Sequence, residues 1–210
     1  MPDTTAARAS SVSPSGQAAS PDGLSPLDGA SRMERLATDL YHIASMLLGD
    51  GEDAIGLVEK AITQADGSVE SAEEEGQTLR HQLAGDAIAL LAQRDAQALA
   101  APEVDNSGPV SCIEGDELDA AGVTSAELEA MLTGPDNAHL RAWIESLPTT
   151  LRATFVLRAV AGFNSAETAG LLGDFGGPAA ETWTPEGVRT IFRQALWSLA
   201  AQLLHATAEK

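Results

Sequence analysis

The stretch LPTTLRATFVLRAVAGFNSAETAGLLG at residues 147–173, followed by TPEGVRTIFRQALWSL at residues 184–199, decides the fold. Pro148 stands where a helix can start, because its missing N–H is not needed in a first turn. Leu151, Phe155 and Val156 form an apolar stripe that Gly162 closes. Asn164 and Glu167 have capping-box spacing and predict a short helix through Leu172, ended by Gly173. Thr184 and Pro185 supply a cap and a first-turn proline for a last helix with Val188, Ile191, Phe192, Ala195, Leu199 and Leu203 inward. Two short helices across a turn make a helix-turn-helix candidate, a motif that lays its second helix in the major groove of DNA.

Working outward, Leu140, Trp143, Ile144 and Leu147 form one more stripe upstream. Nearer the N-terminus, Met33, Leu36, Leu40, Ile43 and Leu47 recur at helical spacing, as do Ala54, Leu57, Val58, Ala61 and Ile62. A third helix is expected from about Thr78 to Leu99, with Leu79, Leu83, Ala87, Leu90 and Leu91 inward. Gly67 to Gly76, including Glu73, Glu74 and Glu75, reads as an acidic loop. Residues 1–31 are rich in Ser, Ala, Pro and Gly without hydrophobic period, and read as a disordered tail. Residues 100–135 are dense in acid and turn formers and read as a linker, with one short helix over Ser125–Leu132 capped by Thr124 and Glu127. The expected architecture is all-α: tail, a helical domain over 32–99, acidic linker, and a second small helical domain over 136–210.

Composition agrees, since aromatics are 4% and β-branched runs are missing while Ala and Leu dominate. The net charge of −19 should repel nucleic acid as a whole, but it is unevenly spread. Residues 100–137 hold 9 acids and no base, whereas residues 138–210 balance 6 of each, so the helix-turn-helix candidate lies in the least acidic part. A single cysteine, Cys112, excludes an internal disulfide and a thiolate zinc cluster, and a reducing cytoplasm is the expected setting. No signal peptide pattern or membrane span is found. His42, His81, His139 and His205 are scattered outside any metal-ligand or nucleophile arrangement, so neither enzymatic activity nor a cofactor is expected.

Both helical modules resemble the two halves of a small bacterial sigma factor of the extracytoplasmic-function type. The second carries Leu147-Pro148, Arg152, Phe155, Leu157-Arg158, Gly162-Phe163-Asn164, Glu167, Ala169, Leu171-Leu172-Gly173 and Glu186-Gly187-Val188-Arg189. The first carries Leu40-Tyr41, Ala44, Leu48-Gly49-Asp50, Asp53-Ala54 and Leu57-Val58. The resemblance covers about Met33–Gln97 and Asp136–Leu204. It implies a region-2-like module that binds core RNA polymerase, through Asp53, Leu57, Val58, Glu59 and Lys60, and a region-4-like helix-turn-helix that reads the minus-35 element of promoter DNA. On the last helix Thr184, Arg189, Thr190, Arg193 and Gln194 lie in the first turns, largely off the apolar stripe. Arg and Gln suit guanine and adenine edges, and two arginines and a glutamine also suit plain solvation of a helix face.

The chain departs from the family pattern at several points. Ile191 and Leu196 stand where arginine is usual, and residues 174–185 lengthen the turn, which loosens the helix angle unless Trp183 or Phe175 packs it down. Trp183 is expected to be a core anchor. Gly56 precedes Leu57-Val58 and Glu59-Lys60 follow, where the family has Asp and Gln-Glu. The melting segment corresponds to Leu79-Arg80-His81-Gln82-Leu83-Ala84, which lacks aromatics, and its basic run is reduced to Arg94; this argues against promoter melting. The acidic linker suits a solvated spacer, and also the basic polymerase channel that such linkers follow. The rival reading is a sigma mimic that occupies an anti-sigma factor without binding DNA. A plain helix-turn-helix regulator whose first module dimerises is a third.

Overall fold

A computed structural model describes residues 26–64, 72–102 and 137–208, and among them every regular element is helical. The elements are α1 (Pro26–Leu48), α2 (Glu52–Gln64), α3 (Ala72–Arg94), α4 (Asn137–Ser146), α5 (Thr149–Phe155), α6 (Ser165–Phe175) and α7 (Pro185–Ala208). A π turn, Val156–Val160, extends α5, and a 3₁₀ turn, Pro178–Ala180, lies between α6 and α7. The all-α class expected from composition is what the chain adopts.

The predicted stripes are the buried faces. Leu40, Ile43 and Leu47 of α1, Ala54, Leu57 and Ala61 of α2, and Leu79, Leu83, Ala87 and Leu91 of α3 are all buried. Leu140, Trp143, Ile144 and Leu147 are buried, as are Phe155, Val156, Val188, Ile191, Phe192, Ala195 and Leu199. Trp143 stands edge-on to Phe155 at 4.9 Å, and Phe155 stacks on Phe192 at 6.1 Å, giving the C-terminal helices an aromatic centre. Gly49 at φ +89° and Gly162 at φ +79° close α1 and the π turn in a region of φ that suits glycine.

Boundaries differ from expectation in four places, each for a local reason. α1 begins at Pro26, inside the stretch read as tail, because proline at a first helical position is pre-organised for the helix. Glu73, Glu74 and Glu75 form the first turn of α3 and not a loop; acids there meet the positive end of the helix dipole. α3 ends at Arg94, and the chain turns before Leu99, where the Asp95 carboxylate accepts from the Gln97 N–H at 2.9 Å. α6 runs through Gly173 to Phe175, and Gly176 ends it, its N–H donating to the Leu172 carbonyl at 2.8 Å. The short helix expected over Ser125–Leu132, and Cys112, lie outside the described residues.

One contiguous set of buried side chains runs through α1–α3 and α4–α7, with α3 lying against α6. Polar bonds gather around the turn after α3. The buried indole N–H of Trp183 donates to the Leu99 carbonyl at 2.8 Å, and the Thr150 hydroxyl donates to the Ala98 carbonyl at 2.7 Å. The Ala101 N–H donates to the Ala179 carbonyl at 3.0 Å. Arg141 on α4 reaches both oxygens of Asp50 at 2.7 Å. The turn between α6 and α7 therefore does not hang free: Trp183 packs it down, in the anchoring role expected of it.

Candidate nucleic-acid interface

Local chemistry sets the two helices of the candidate interface. The Asn164 side chain accepts from the N–H groups of Ala166 and Glu167, each at 2.9 Å, and the Glu167 carboxylate accepts from the Asn164 N–H at 2.8 Å. This reciprocal box satisfies donors that a helix start leaves unpaired. At the start of α7 the Thr184 hydroxyl accepts from the Gly187 N–H at 3.1 Å. Thr184 is thus a cap on an exposed position, and its hydroxyl is committed to the helix. Arg158 donates to the Phe163 carbonyl at 2.9 Å and covers the Phe192 ring at 5.0 Å, tying the π turn to α7.

The outer face of α7 carries the remaining candidates. Thr190 and Gln194 are exposed, and Arg189 and Arg193 are partly so. From Arg189 to Gln194 these residues span an arc of about 140° at 3.6 residues per turn. Both arginines turn to one acid. Arg189 donates from Nε at 3.0 Å and from Nη2 at 2.7 Å to Glu186 Oε2, while Arg193 Nη2 stands 3.8 Å from Oε1. Ile191 and Leu196 are buried and serve the core. Trp197 is 59% exposed at the middle of the same arc. Sequence reasoning passed over Glu186 and Trp197 as site residues. An acid three residues before one arginine and seven before the other was the legible signal for the first.

The five candidates on α2 do not share one surface. Leu57 is buried in the core and Val58 half-buried, whereas Asp53, Glu59 and Lys60 are exposed. Asp53 is paired with Arg94, and Lys60 reaches Asp86 at 2.8 Å, so two of the three exposed groups are engaged within the module. Exposed Ile55 adds an apolar side chain to this helix. On α3, Leu79, Leu83 and Ala84 are buried. His81 stands edge-on to Phe163 at 5.9 Å.

Arg152 on α5 is half-buried, and desolvation, with the nearby Arg94 adding to it and Glu145 opposing, lowers its pKa from the ordinary arginine value. Among the described residues no three His, Cys, Asp or Glu side chains group to hold a metal ion, and no helix is long and apolar enough to cross a membrane. Comparisons with protein-family models, curated proteins and solved structures gave no match.

Proposed function

We propose that this chain is a divergent sigma-type protein of the bacterial cytoplasm, which directs core RNA polymerase to promoters. The C-terminal helix-turn-helix contacts minus-35 DNA through α7, and the N-terminal module docks on core polymerase through the exposed side of α2. The observation that carries the reading is the capped pair α6 and α7, whose second helix leaves Thr190 and Gln194 exposed and Arg189 and Arg193 partly exposed beside them. Its action is binding and positioning, with no covalent step.

The test is co-elution of the full chain with purified core polymerase, followed by transcription from genomic fragments. A complex and a promoter-specific transcript are expected. Arg189→Ala and Arg193→Ala should each weaken DNA binding and reduce its salt slope by about 1. Failure to co-elute together with no specific transcript ends the proposal.

A second reading is a mimic that sequesters an anti-sigma factor. The observation favouring it is the burial of Leu79, Leu83 and Ala84, with His81 on Phe163, in the stretch that would have to engage melted DNA. It predicts tight binding to an anti-sigma protein and no salt-dependent DNA affinity.

A further inference from the structure

We propose that Arg94 and Arg152 form a site for a small phosphoryl oxyanion where the two helical groups meet, and that the anion strengthens their association by bridging them. Such a site would exist whether or not α7 engages DNA. Hydrogen bonds bring its parts together. The Thr150 hydroxyl, two residues before Arg152 on α5, donates at 2.7 Å to the carbonyl of Ala98, four residues past Arg94. Arg94, in the last turn of α3, is held from its other side: Nη1 donates to the Leu48 carbonyl at 3.4 Å and Nη2 pairs with Asp53. Arg141 of α4 closes on both oxygens of Asp50 at 2.7 Å, tying the second group to the same α1–α2 turn. Each helical group thus brings one arginine to the seam.

Arg152 is the arginine here that nothing answers. Among the described residues its guanidinium has no hydrogen bond or ion pair, and its Nε is buried and unpartnered. Arg158 and Arg193 also keep a buried Nε without a partner, but their outer nitrogens reach the Phe163 carbonyl and Glu186. Burial first, and then the like charge of Arg94, hold the Arg152 pKa below the ordinary arginine value; exposed Glu145 opposes them without bonding to it. A desolvated guanidinium beside a second cation is costly until an anion takes up its donors. The geometry favours a phosphoryl group over a carboxylate. One arginine fork fills both oxygens of a planar carboxylate, whereas a tetrahedral phosphate can accept from two guanidiniums on different helices through different oxygens.

Calorimetric titration and thermal unfolding of the full chain in inorganic phosphate, against sodium chloride of equal ionic strength, test this. A saturable one-to-one isotherm is expected. At ten times the dissociation constant the folding equilibrium should rise about 11-fold, a gain of about 3–6 °C in melting midpoint. Arg152→Gln should abolish the isotherm yet leave the midpoint in chloride unchanged or higher, because no bond is lost with the charge. A lower midpoint, or a variant that does not fold, makes the arginine structural and overturns the site. Arg152→Lys keeps the charge without the fork and should weaken binding by about fivefold or more, while Glu145→Gln should tighten it. Adenosine diphosphate identifies the source: binding tighter than phosphate assigns the terminal phosphate of a nucleotide, and equal or weaker binding assigns free phosphate. No wild-type isotherm, or acetate bound as tightly as phosphate, overturns the site. So does a midpoint gain that Arg152→Gln shares, which is the general effect of phosphate on burial. Phosphate binding that Arg94→Gln leaves unaltered overturns the bridge.

Discussion

Replacing Trp183 by phenylalanine keeps an aromatic ring between α6 and α7 but removes the indole donor that reaches the Leu99 carbonyl from the turn between them. Both partners are buried, Trp183 at 7% and Leu99 at 0% exposure, so water cannot replace the bond without opening the core. An acceptor left unpaired in such a place costs about 1–3 kcal/mol. The smaller ring also forfeits apolar contact worth about 1–2 kcal/mol, at roughly 0.8 kcal/mol per buried methylene equivalent. Trp183→Phe should therefore destabilise the chain by about 3 kcal/mol and lower the melting midpoint by about 6–12 °C. Urea unfolding followed by circular dichroism measures this without relying on indole fluorescence. Thr150→Val, which removes the bond to Ala98 on the same turn, sharpens the test. Two bonds holding one turn should couple, so the double variant should lose less than the sum of the singles by at least about 0.5 kcal/mol. A Trp183→Phe change below about 0.5 kcal/mol would refute the reasoning, because the indole would then not be satisfying a buried carbonyl.

Asn164→Ala should cost about 1–2 kcal/mol in the same unfolding assay, since one side chain serves two N–H groups at the start of α6. The Asn164→Gly variant should lie between it and wild type. Gly176→Ala and Gly85→Ala should behave oppositely. At Gly176 an added Cβ meets the Leu172 carbonyl at 2.4 Å, backbone that cannot yield cheaply, and a loss of about 2–3 kcal/mol is expected. At Gly85 it meets the half-exposed Phe175 ring at 2.9 Å, which can swing aside, while alanine gains about 1 kcal/mol of helix propensity. Gly85→Ala should thus be nearly neutral alone and stabilising by about 1 kcal/mol in a Phe175→Ala background, and a loss in that background would contradict the packing described.

What the sequence made legible was whatever its own neighbours encode. Asn164 and Glu167 are three residues apart and box the α6 start as their spacing predicts, and Thr184 caps α7 for the same reason. The inward faces of α1, α2, α3 and α7 followed from periodicity alone, because burial of one apolar stripe is what makes those helices stable. Signals with two meanings were misread. Glu73 to Glu75 are acidic enough for a loop and equally suited to a first turn, and Gly173 resembled a terminus three residues before Gly176 supplied it. The π turn has no periodic signature: the Ala161 N–H donates to the Val156 carbonyl at 2.9 Å, one residue beyond α spacing. Least legible were partners set by tertiary structure. Trp183 bonds a main-chain carbonyl 84 residues away, and Leu57 of the α2 candidates turned out to be core. On α7 the arginines and Gln194 could be placed off the apolar stripe, but their joint engagement with Glu186 needed coordinates.

The bonds from Ala98, Leu99 and Ala101 to Thr150, Trp183 and Ala179 join residues on opposite sides of the 103–136 segment. Such an arrangement works as a non-covalent splice. In the intact chain, association of the two helical groups is a unimolecular event. A single break in the backbone between Pro102 and Asn137 would turn it into a bimolecular equilibrium that dilution can pull apart. One altered residue at the splice is therefore felt on both sides of that segment.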